Sequence, residues 1–190
     1  MKCKIYLFRH GMTADNEEGI FSGWRDVSLS RRGIRDAKII ALRLRDKKFA
    51  LAFQSDLLRS RQTLREVLKF HKHVKIITDK RIRERNYGNL QGHTHLEIVQ
   101  KYGYKKYDLW HRGYKNRPPE GESFEDVDKR VLSFIKYLLE IMRDEKVSVA
   151  ISAHNNSMRP FRKYFEKLSQ EEMCTLYNDY ESVYEYEVEV

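Results

Sequence analysis

The residues best suited to chemistry come directly after the first apolar run of the chain, Lys4–Phe8. This run is typical of a β-strand, and Arg9-His10-Gly11 follows it. Arginine presents a fixed fork of N–H donors that suits phosphate oxygens, and an imidazole can act as a nucleophile. Glycine lets the backbone turn sharply and approach a ligand closely. Because open α/β sheets bind ligands at the carboxyl edge of their strands, this segment indicates a phosphate site there.

Three further polar residues adjoin later strand-like runs or turns. They are Arg59, Glu84 and His154. Their side chains could therefore lie at the same edge of the sheet as His10. Taken alone, each has an ordinary structural explanation: a helix-face charge, a surface ion pair between two arginines, and a helix cap. Their combination with His10 favours catalysis over these explanations.

The composition is typical of a globular protein, and we predict one domain over residues 1–190. Of the 190 residues, 41% are hydrophobic and 34% are charged, which suits one sizeable core. No apolar run approaches the length that crosses a bilayer, and no leader with a cleavage site precedes the first strand. We therefore expect a cytoplasmic protein with no membrane partner. Cys3 and Cys174 form neither a C-x-x-C motif nor a disulfide framework, so we expect reduced thiols.

An excess of basic residues favours an anionic partner without identifying it. The chain has 37 basic and 28 acidic residues, a formal net charge of +9, and the basic residues are spread among the acids. A single-strand nucleic-acid binder that stacks bases on the twelve tyrosines is one interpretation. The tyrosines lack the interleaved Arg/Lys spacing of a stacking platform. We therefore favour a small phosphorylated metabolite as the partner, and no nucleic acid.

Strand-like and helix-like segments alternate along the chain. This alternation predicts an α/β fold, a three-layer sandwich with a mostly parallel central sheet and helices on both faces. The predicted parallel strands are Lys4–Phe8, Phe49–Gln54, Val74–Thr78 and Val147–Ser152. Ser182–Val190 alternates Val or Tyr with Glu, which predicts an antiparallel edge strand with one solvated face.

Capping residues and apolar periodicity predict the helices between these strands. Ser30 caps a predicted helix that runs to about Lys47, with Ile34, Ala37, Ala41 and Leu44 on its buried face. The other predicted helices are 58–70, 95–102 behind Thr94, one that begins near Ser157, one behind Ser169, and a long helix behind Ser123. The core stripe of the long helix is Val127, Val131, Phe134, Leu138 and Ile141.

An ordered set of motifs resembles the histidine phosphatase superfamily, which includes the cofactor-dependent phosphoglycerate mutases. The matching segments are Arg9–Thr13, Asn16, Phe21–Trp24, Leu29–Gly33, Ser55–Thr63 and His154, and they cover nearly the whole chain. An Arg-His-Gly tripeptide alone would be weak support for this resemblance, whereas the whole set of motifs in this order is specific for the family. Glu84–Gly92, with the sequence ERNYGNLQG, is similar to the acidic motif of the mutase branch, as are Lys101–Gly103, Trp110–Tyr114 and Pro118-Pro119.

The resemblance implies a phosphoglycerate mutase-like fold and the interconversion of 3-phosphoglycerate and 2-phosphoglycerate through a phosphohistidine, a reaction of glycolysis and gluconeogenesis. It implies no tightly bound cofactor, with 2,3-bisphosphoglycerate as the phosphorylating primer, and it leaves a homo-oligomer open. We expect no metal, because His71 with His73 and His93 with His95 have no cysteine or clustered carboxylate at suitable spacing.

Five residues match the catalytic positions of this family. His10 would carry the phosphoryl group, and for that it must be neutral. The charges of Arg9 and Arg59 should lower the pKa of His10, and together with His154 they would surround the transferring oxygens. Glu84 would act as the general acid and base.

Nine residues are predicted to bind the substrate: Thr13, Asn16, Ser22, Gly23, Tyr87, His95, His111, Arg112 and Asn156. The mutases usually have a lysine where this chain has His95, and two arginines where it has His111-Arg112. Since histidine is largely neutral at pH 7, we expect a weaker grip on the substrate carboxylate that improves as the pH falls from 8 towards 6.

Two further departures concern the second histidine and the end of the chain. The second histidine is usually followed by glycine, and here Asn155 follows it; asparagine tolerates left-handed backbone geometry, so the turn is expected to survive. The chain ends at its last strand, without the tail that closes over the mutase site, and we expect the phosphohistidine to leak to hydrolysis. The alternative function is therefore a histidine phosphatase that hydrolyses a small phosphorylated metabolite by the same route.

Overall fold

The computed structural model describes residues 1–190 and contains one five-stranded sheet in the order β3-β2-β4-β1-β5. The strands are β1 (Lys2–Arg9), β2 (Leu51–Gln54), β3 (Lys75–Thr78), β4 (Val149–Ala153) and β5 (Val183–Glu189). Four strands are parallel, and β5 pairs antiparallel with β1 at the edge of the sheet. The predicted fold class and the antiparallel edge strand are confirmed.

Eight α-helices surround the sheet: α1 (Ala14–Glu17), α2 (Arg31–Leu44), α3 (Leu58–Val67), α4 (His95–Tyr102), α5 (Tyr104–Arg112), α6 (Phe124–Glu145), α7 (Asn155–Glu166) and α8 (Gln170–Thr175). Short 3₁₀ turns lie at 68–70, 80–82 and 88–90. No helix combines the length and the apolar character that crossing a membrane requires.

The two faces of β1 bury different side chains, which explains why helices cover both faces of the sheet. Ile5 and Leu7 pack with α6 and α7 in the larger core cluster, whereas Tyr6 and Phe8 pack with α2 and α3 in the other. A strand that is buried on both faces typically has a continuous apolar sequence, and the sequence of β1 fits this pattern. β1 and β4 therefore lie at the centre of the fold, and both end at the same edge.

Strand pairing shifts the predicted strand ends by a few residues. β1 begins at Lys2 and includes Arg9, because β5 pairs with it from Glu189 opposite Lys2 to Val183 opposite Phe8. β4 spans Val149–Ala153 rather than 147–152, since its register with β1 runs from Ile5 to Arg9. β2 and β3 begin two residues and one residue later than predicted, at Leu51 and Lys75, where their mutual pairing begins.

The capping residues locate the helix starts well. Ser30, Thr94, Ser123 and Ser169 each accept a hydrogen bond from the N–H three residues later. The helix predicted to begin near Ser157 is present but begins two residues earlier, at Asn155, because His154 is the cap and its N–H donates to the Ser157 hydroxyl.

Other helix predictions need correction at their ends and faces. α2 ends at Leu44 rather than Lys47, and α3 ends at Val67 before a 3₁₀ turn. Ile34 is 42% exposed, because the buried face of α2 is formed by Ala37, Ile40, Ala41 and Leu44. In α6, Ile141 is only partly buried, and Ile135 and Met142 are in the core instead.

Two helices were missed, the four-residue α1 and the longer α5. α5 follows Gly103, which has a φ of 81° and provides no side-chain cap. The usual polar start signal is therefore absent from the sequence at this point.

The loop after β1 is held tightly between α2 and α3. The Gly11 N–H donates to the Thr63 hydroxyl, and the Met12 N–H donates to the carboxylate of Asp36. A Cβ at Gly33 would overlap the carbonyl oxygen of Met12, and one at Gly11 would overlap the carbonyl of Gly33. The loop that carries His10 and the start of α2 thus make direct backbone contact, which is possible because Gly11 and Gly33 have no Cβ atoms. This contact determines where the loop turns.

We expect Gly33→Ala to destabilise the protein, although alanine is favoured over glycine by about 1 kcal/mol in most helix interiors. The added methyl must push α2 away from the loop, and overpacking of this kind costs roughly 1–3 kcal/mol. Urea unfolding of the variant measures the change. Lys38→Ala, on the exposed side of the same helix, is the matched control and should be neutral. A Gly33→Ala protein more stable than the wild type would contradict the packing argument.

Candidate active site

His10 and His154 lie side by side at the carboxyl edge of the sheet. β1 and β4 are neighbours that end together, and the His10 N–H donates to the carbonyl of Ala153 at 3.0 Å. The two imidazole rings are 4.8 Å apart between centroids, and both are buried. Parallel pairing of two buried strands therefore unites residues 144 positions apart in the sequence.

The hydrogen bonds of His10 leave one ring nitrogen with a lone pair. Nδ1 lies 2.7 Å from the Gly11 carbonyl oxygen, which can only accept, so the proton is assigned to Nδ1. Nε2 then accepts from Nε of Arg59 at 3.3 Å. Burial lowers the pKa of His10 well below its ordinary value, and the charges of Arg59 and Arg9 lower it further. This lowering agrees in direction with the expectation from the sequence, but burial rather than the two arginines is its largest cause.

Arg59 is 1% exposed, yet no carboxylate contacts it. Its terminal nitrogens donate to the carbonyls of Arg25 at 2.9 Å and Gly23 at 2.7 Å. α3 carries Arg59, so the helix that packs against the signature loop also delivers this guanidinium to His10. Carbonyl partners orient the group and leave its positive charge to act on the cavity.

Arg9 is held in a similar way, by residues near the end of the chain. Nη1 donates to the Asn178 carbonyl at 2.9 Å, and Nη2 donates to the Tyr180 hydroxyl at 2.7 Å. The guanidinium carbon lies 3.7 Å from the centroid of the Tyr180 ring, and Nε has no partner. Asn178 and Tyr180 were not predicted from the sequence, because no local motif marks them.

His154 lies behind His10 and does not line the cavity. One ring nitrogen, Nε2, is 2.7 Å from the Ser55 hydroxyl, and the other, Nδ1, is buried without a partner. Burial and the Arg59 charge lower the pKa of His154 well below its ordinary value. A neutral imidazole with a free nitrogen is therefore available next to His10.

Glu84 does not form the surface ion pair that its arginine neighbours suggested. Arg83 pairs with Asp56, and the side chain of Arg85 donates to backbone carbonyls, including that of Glu122. The Glu84 carboxylate is buried on the cavity wall instead, where Oε1 accepts from the N–H groups of Arg85 and Asn156. Its second oxygen is left for a ligand.

A cavity of about 140 Å³ opens in front of His10. Of the predicted site residues, it is lined by Arg9, His10, Asn16, Ser22, Gly23, Arg59, Glu84, Tyr87, His95, His111 and Asn156. Ile20, Phe21 and Asn155 complete the lining and were not predicted as site residues. The volume suits a small anion with a short carbon chain.

Two residues predicted to bind substrate lie outside this lining. Thr13 is fully buried and caps α1, where its hydroxyl binds Oδ1 of Asn16 at 2.9 Å and so orients that side chain. Arg112 ends α5 with an exposed side chain 3.7 Å from Asp108. Arg112 is therefore not part of the cavity wall, and its contact with the far end of a substrate stays a prediction.

The wall opposite His10 is aromatic and uncharged. The ring of His95 lies 4.1 Å from that of Phe21 and 5.2 Å from that of His111, and its Nδ1 is 3.0 Å from the Tyr107 hydroxyl. Burial lowers the pKa of His95, and burial together with His95 lowers that of His111 to about 3. These lowered pKa values argue against the expected gain in affinity between pH 8 and 6, because burial disfavours the charged form of both histidines.

Asn155 also differs from expectation, because its backbone is not left-handed. It is the first residue of α7, and its side chain binds Asn178. The helical turn after His154 thus needs no glycine.

The ring nitrogens of His10 and His154 and a carboxylate oxygen of Glu84 lie within 4.8 Å of one another, a donor set that zinc also uses. The guanidinium nitrogen of Arg59 at 3.3 Å from His10 makes a poor neighbour for a dication. The arrangement fits an anion better, and the neutral nucleophile, the two guanidiniums and the carboxyl group together can transfer a phosphoryl group.

The chain belongs to the histidine phosphatase superfamily (branch 1), whose family model matches residues 5–189. It is 35% identical over 171 residues to a 2,3-bisphosphoglycerate-dependent phosphoglycerate mutase of Cytophaga hutchinsonii, covering 90% of this chain and 80% of that protein. It is 35% identical over 175 residues to a phosphoglycerate mutase of Schizosaccharomyces pombe, covering 89% and 82%.

Solved structures with this fold include phosphatases. The alpha-ribazole phosphatase from Shigella flexneri superposes with a TM-score of 0.84 at 25% identity, covering 96% of this chain and 89% of that one. The fold and family are thus shared by enzymes with mutase and with phosphatase names.

We expect the free energy of unfolding to fall as the pH is lowered from 7 to 5.5. The pKa values of His10, His95, His111 and His154 are lowered in the folded protein, so the unfolded chain takes up more protons there than the folded protein does. A histidine that stays uncharged in the folded protein over this range, as His111 does with a pKa of about 3, should contribute a loss of about 1 kcal/mol. Urea unfolding at both pH values measures it.

His111→Gln should reduce this pH-dependent loss of unfolding free energy by about the 1 kcal/mol that one buried histidine contributes. His93→Gln, at an exposed position, is the matched control and should leave the loss unchanged. A stability that does not change between pH 7 and 5.5 would show that the histidines are not buried as described.

Proposed function

We propose that this protein is a 2,3-bisphosphoglycerate-dependent phosphoglycerate mutase that works through a phosphohistidine at His10. The observation that carries the proposal is that Nε2 of a neutral His10 meets Arg59 and Glu84 at one small cavity. Relatives with this name, at 35% identity over 90% of the chain, support it. A glycolytic or gluconeogenic role and a cytoplasmic location follow from the proposal. A cavity of about 140 Å³ favours a small phosphorylated metabolite over a nucleic acid.

The first step phosphorylates His10. Its Nε2 lone pair attacks a phosphorus atom of 2,3-bisphosphoglycerate, an N–P bond forms, and the bond from phosphorus to the glycerate oxygen breaks. Glu84 donates a proton to that oxygen, and the monophosphoglycerate leaves as an alcohol. Arg9 and Arg59 balance the charge on the transferring oxygens throughout.

The second step returns the phosphoryl group to a hydroxyl. The free hydroxyl of a bound monophosphoglycerate attacks the phosphorus, gives its proton to Glu84, and the N–P bond breaks to restore neutral His10. When the resulting 2,3-bisphosphoglycerate turns and donates its other phosphoryl group, the isomer is released. Asn16, Ser22, the Gly23 N–H and Asn156 would supply neutral donors.

A phosphatase on the same scaffold is the second candidate. The uncharged wall of His95 and His111, with Arg112 outside the cavity, supports it, because the carboxylate of glycerate meets no permanent cation there. Water would then attack the phosphohistidine in place of a sugar-acid hydroxyl. The phosphatase name of the Shigella flexneri structure is consistent with this reaction.

An isomerisation assay with and without primer tests the proposal. We expect 3-phosphoglycerate to give 2-phosphoglycerate only when catalytic 2,3-bisphosphoglycerate is present, and radiolabelled primer to label the protein covalently. His10→Ala should lose both signals while remaining folded, since it removes the nucleophile. Release of inorganic phosphate without any isomer would favour the phosphatase. A fully active His10→Ala protein would exclude both candidates.

We expect Glu84→Gln to reduce transfer from phosphoglycerate by roughly 10²–10⁴-fold, because the amide cannot protonate the leaving oxygen. Transfer from p-nitrophenyl phosphate should fall much less, since its leaving group departs without a proton. Steady-state kinetics with both donors measure the difference. Glu140→Gln, at an exposed position of α6, is the control and should behave as wild type. Equal losses with the two donors would argue against an acid role for Glu84.

A further inference from the structure

Arg9 is held by a segment that the catalytic motifs do not include. Residues 176–182, between α8 and β5, supply both partners of its terminal nitrogens, the Asn178 carbonyl and the Tyr180 hydroxyl. The Tyr180 ring also lies against the guanidinium plane at 3.7 Å, which adds a cation–π contact. The position of Arg9 therefore depends on where this segment, the 176–182 segment, is fixed.

Asn178 connects the 176–182 segment to α7. It is fully buried, and every one of its polar groups is used. Its carbonyl accepts from Arg9, its Oδ1 accepts from Arg162 at 3.1 Å, and its N–H and Nδ2 donate to Asn155. Since a buried polar group without a partner is costly, these bonds hold Asn178 in one orientation.

Asn155 is the anchor on the α7 side. Its Oδ1 accepts from the Asn178 N–H at 3.1 Å and from Nδ2 at 3.2 Å, and its carbonyl accepts from Nδ2 at 2.9 Å. This is the position where the sequence departs from the glycine that usually follows the second histidine of the family. Glycine has no side-chain acceptor, so two of these three bonds exist because the residue is asparagine.

We propose that Asn155 is a positioning residue that acts through Asn178 to hold the guanidinium of Arg9 against the phosphoryl site. The inference rests on the proposed phosphoryl transfer at His10. Arg9 is 6% exposed and has no carboxylate partner, so neutral hydrogen bonds and the contact with the Tyr180 ring determine where its charge lies. Small displacements of a charge-compensating group lower the rate steeply, because such groups act by preorganisation.

A double-mutant cycle between Asn155 and Arg9 tests this coupling. We expect Asn155→Ala to lower kcat/KM for p-nitrophenyl phosphate about tenfold in the wild-type background, and less than about twofold when Arg9 is already alanine. Asn155→Gly, the residue usual in the family, should behave like Asn155→Ala and is compatible with the fold. Equal losses in both backgrounds would overturn the inference, since Asn155 would then act directly on the substrate or on folding.

Binding of inorganic phosphate, measured by calorimetry on the same four proteins, separates this inference from the proposed function. Phosphate affinity should fall with Asn155→Ala only when Arg9 is present, whether or not the protein turns over any donor. Ser169→Ala is the matched control: it removes a capping bond from α8, just before the 176–182 segment, without touching Arg9. We expect it to lower the melting temperature and leave phosphate affinity unchanged. If phosphate binds equally well to the Asn155→Ala and wild-type proteins, Asn155 does not position Arg9.

Discussion

The buried positive charge of Arg9 and Arg59 is the constraint on which the site depends. Both guanidiniums are almost fully buried, and their hydrogen-bond partners are all uncharged: carbonyl and hydroxyl oxygens and, for Arg59, Nε2 of His10. Burying a charge without a counter-ion is unfavourable, so an incoming phosphate relieves a cost that the folded protein already bears. The same two charges, added to burial, keep His10 neutral. The property that attracts the anion therefore also prepares the imidazole to attack it.

The rest of the fold holds the two buried guanidiniums in place despite the unfavourable free energy of burying their charge. β1 and β4 bury apolar side chains on both faces, and the cores on the two sides of the sheet fix the strand ends from which His10 and His154 project. The backbone contact between Gly11 and Gly33 brings α2 against the signature loop, and α3 adds the Thr63 bond. Packing and backbone contacts within the protein therefore hold the loop of His10 and the helix of Arg59 against each other.

The sequence was informative where function depends on strand ends and local caps, and less so where it depends on distant contacts. His10, Arg59 and Glu84 could be placed at one edge because each follows a recognisable strand or turn. Asn178 could not, since it meets Arg9 across 169 residues and carries no motif. The orientation of Arg112 depends on α5, whose start has no capping signal, and the neutrality of His111 depends on burial among rings contributed by other segments.

The aromatic wall opposite His10 determines how the two candidate reactions compete. Both require phosphorylation of His10, and they differ in whether glycerate or water accepts the phosphoryl group. A neutral histidine can donate one hydrogen bond to a carboxylate, which contributes roughly 1.5–3 kcal/mol, whereas a lysine or arginine adds the attraction between two opposite charges to that bond. If glycerate is the substrate, as proposed, the lowered pKa values of His95 and His111 predict that its carboxylate is held more weakly than by two permanent cations. A weak hold allows the bisphosphate to turn between its two orientations, which a mutase needs. It also shortens the time for which glycerate shields the phosphohistidine from water. We therefore expect the contacts that this wall makes with glycerate, rather than the nucleophile, to set the ratio of transfer to hydrolysis.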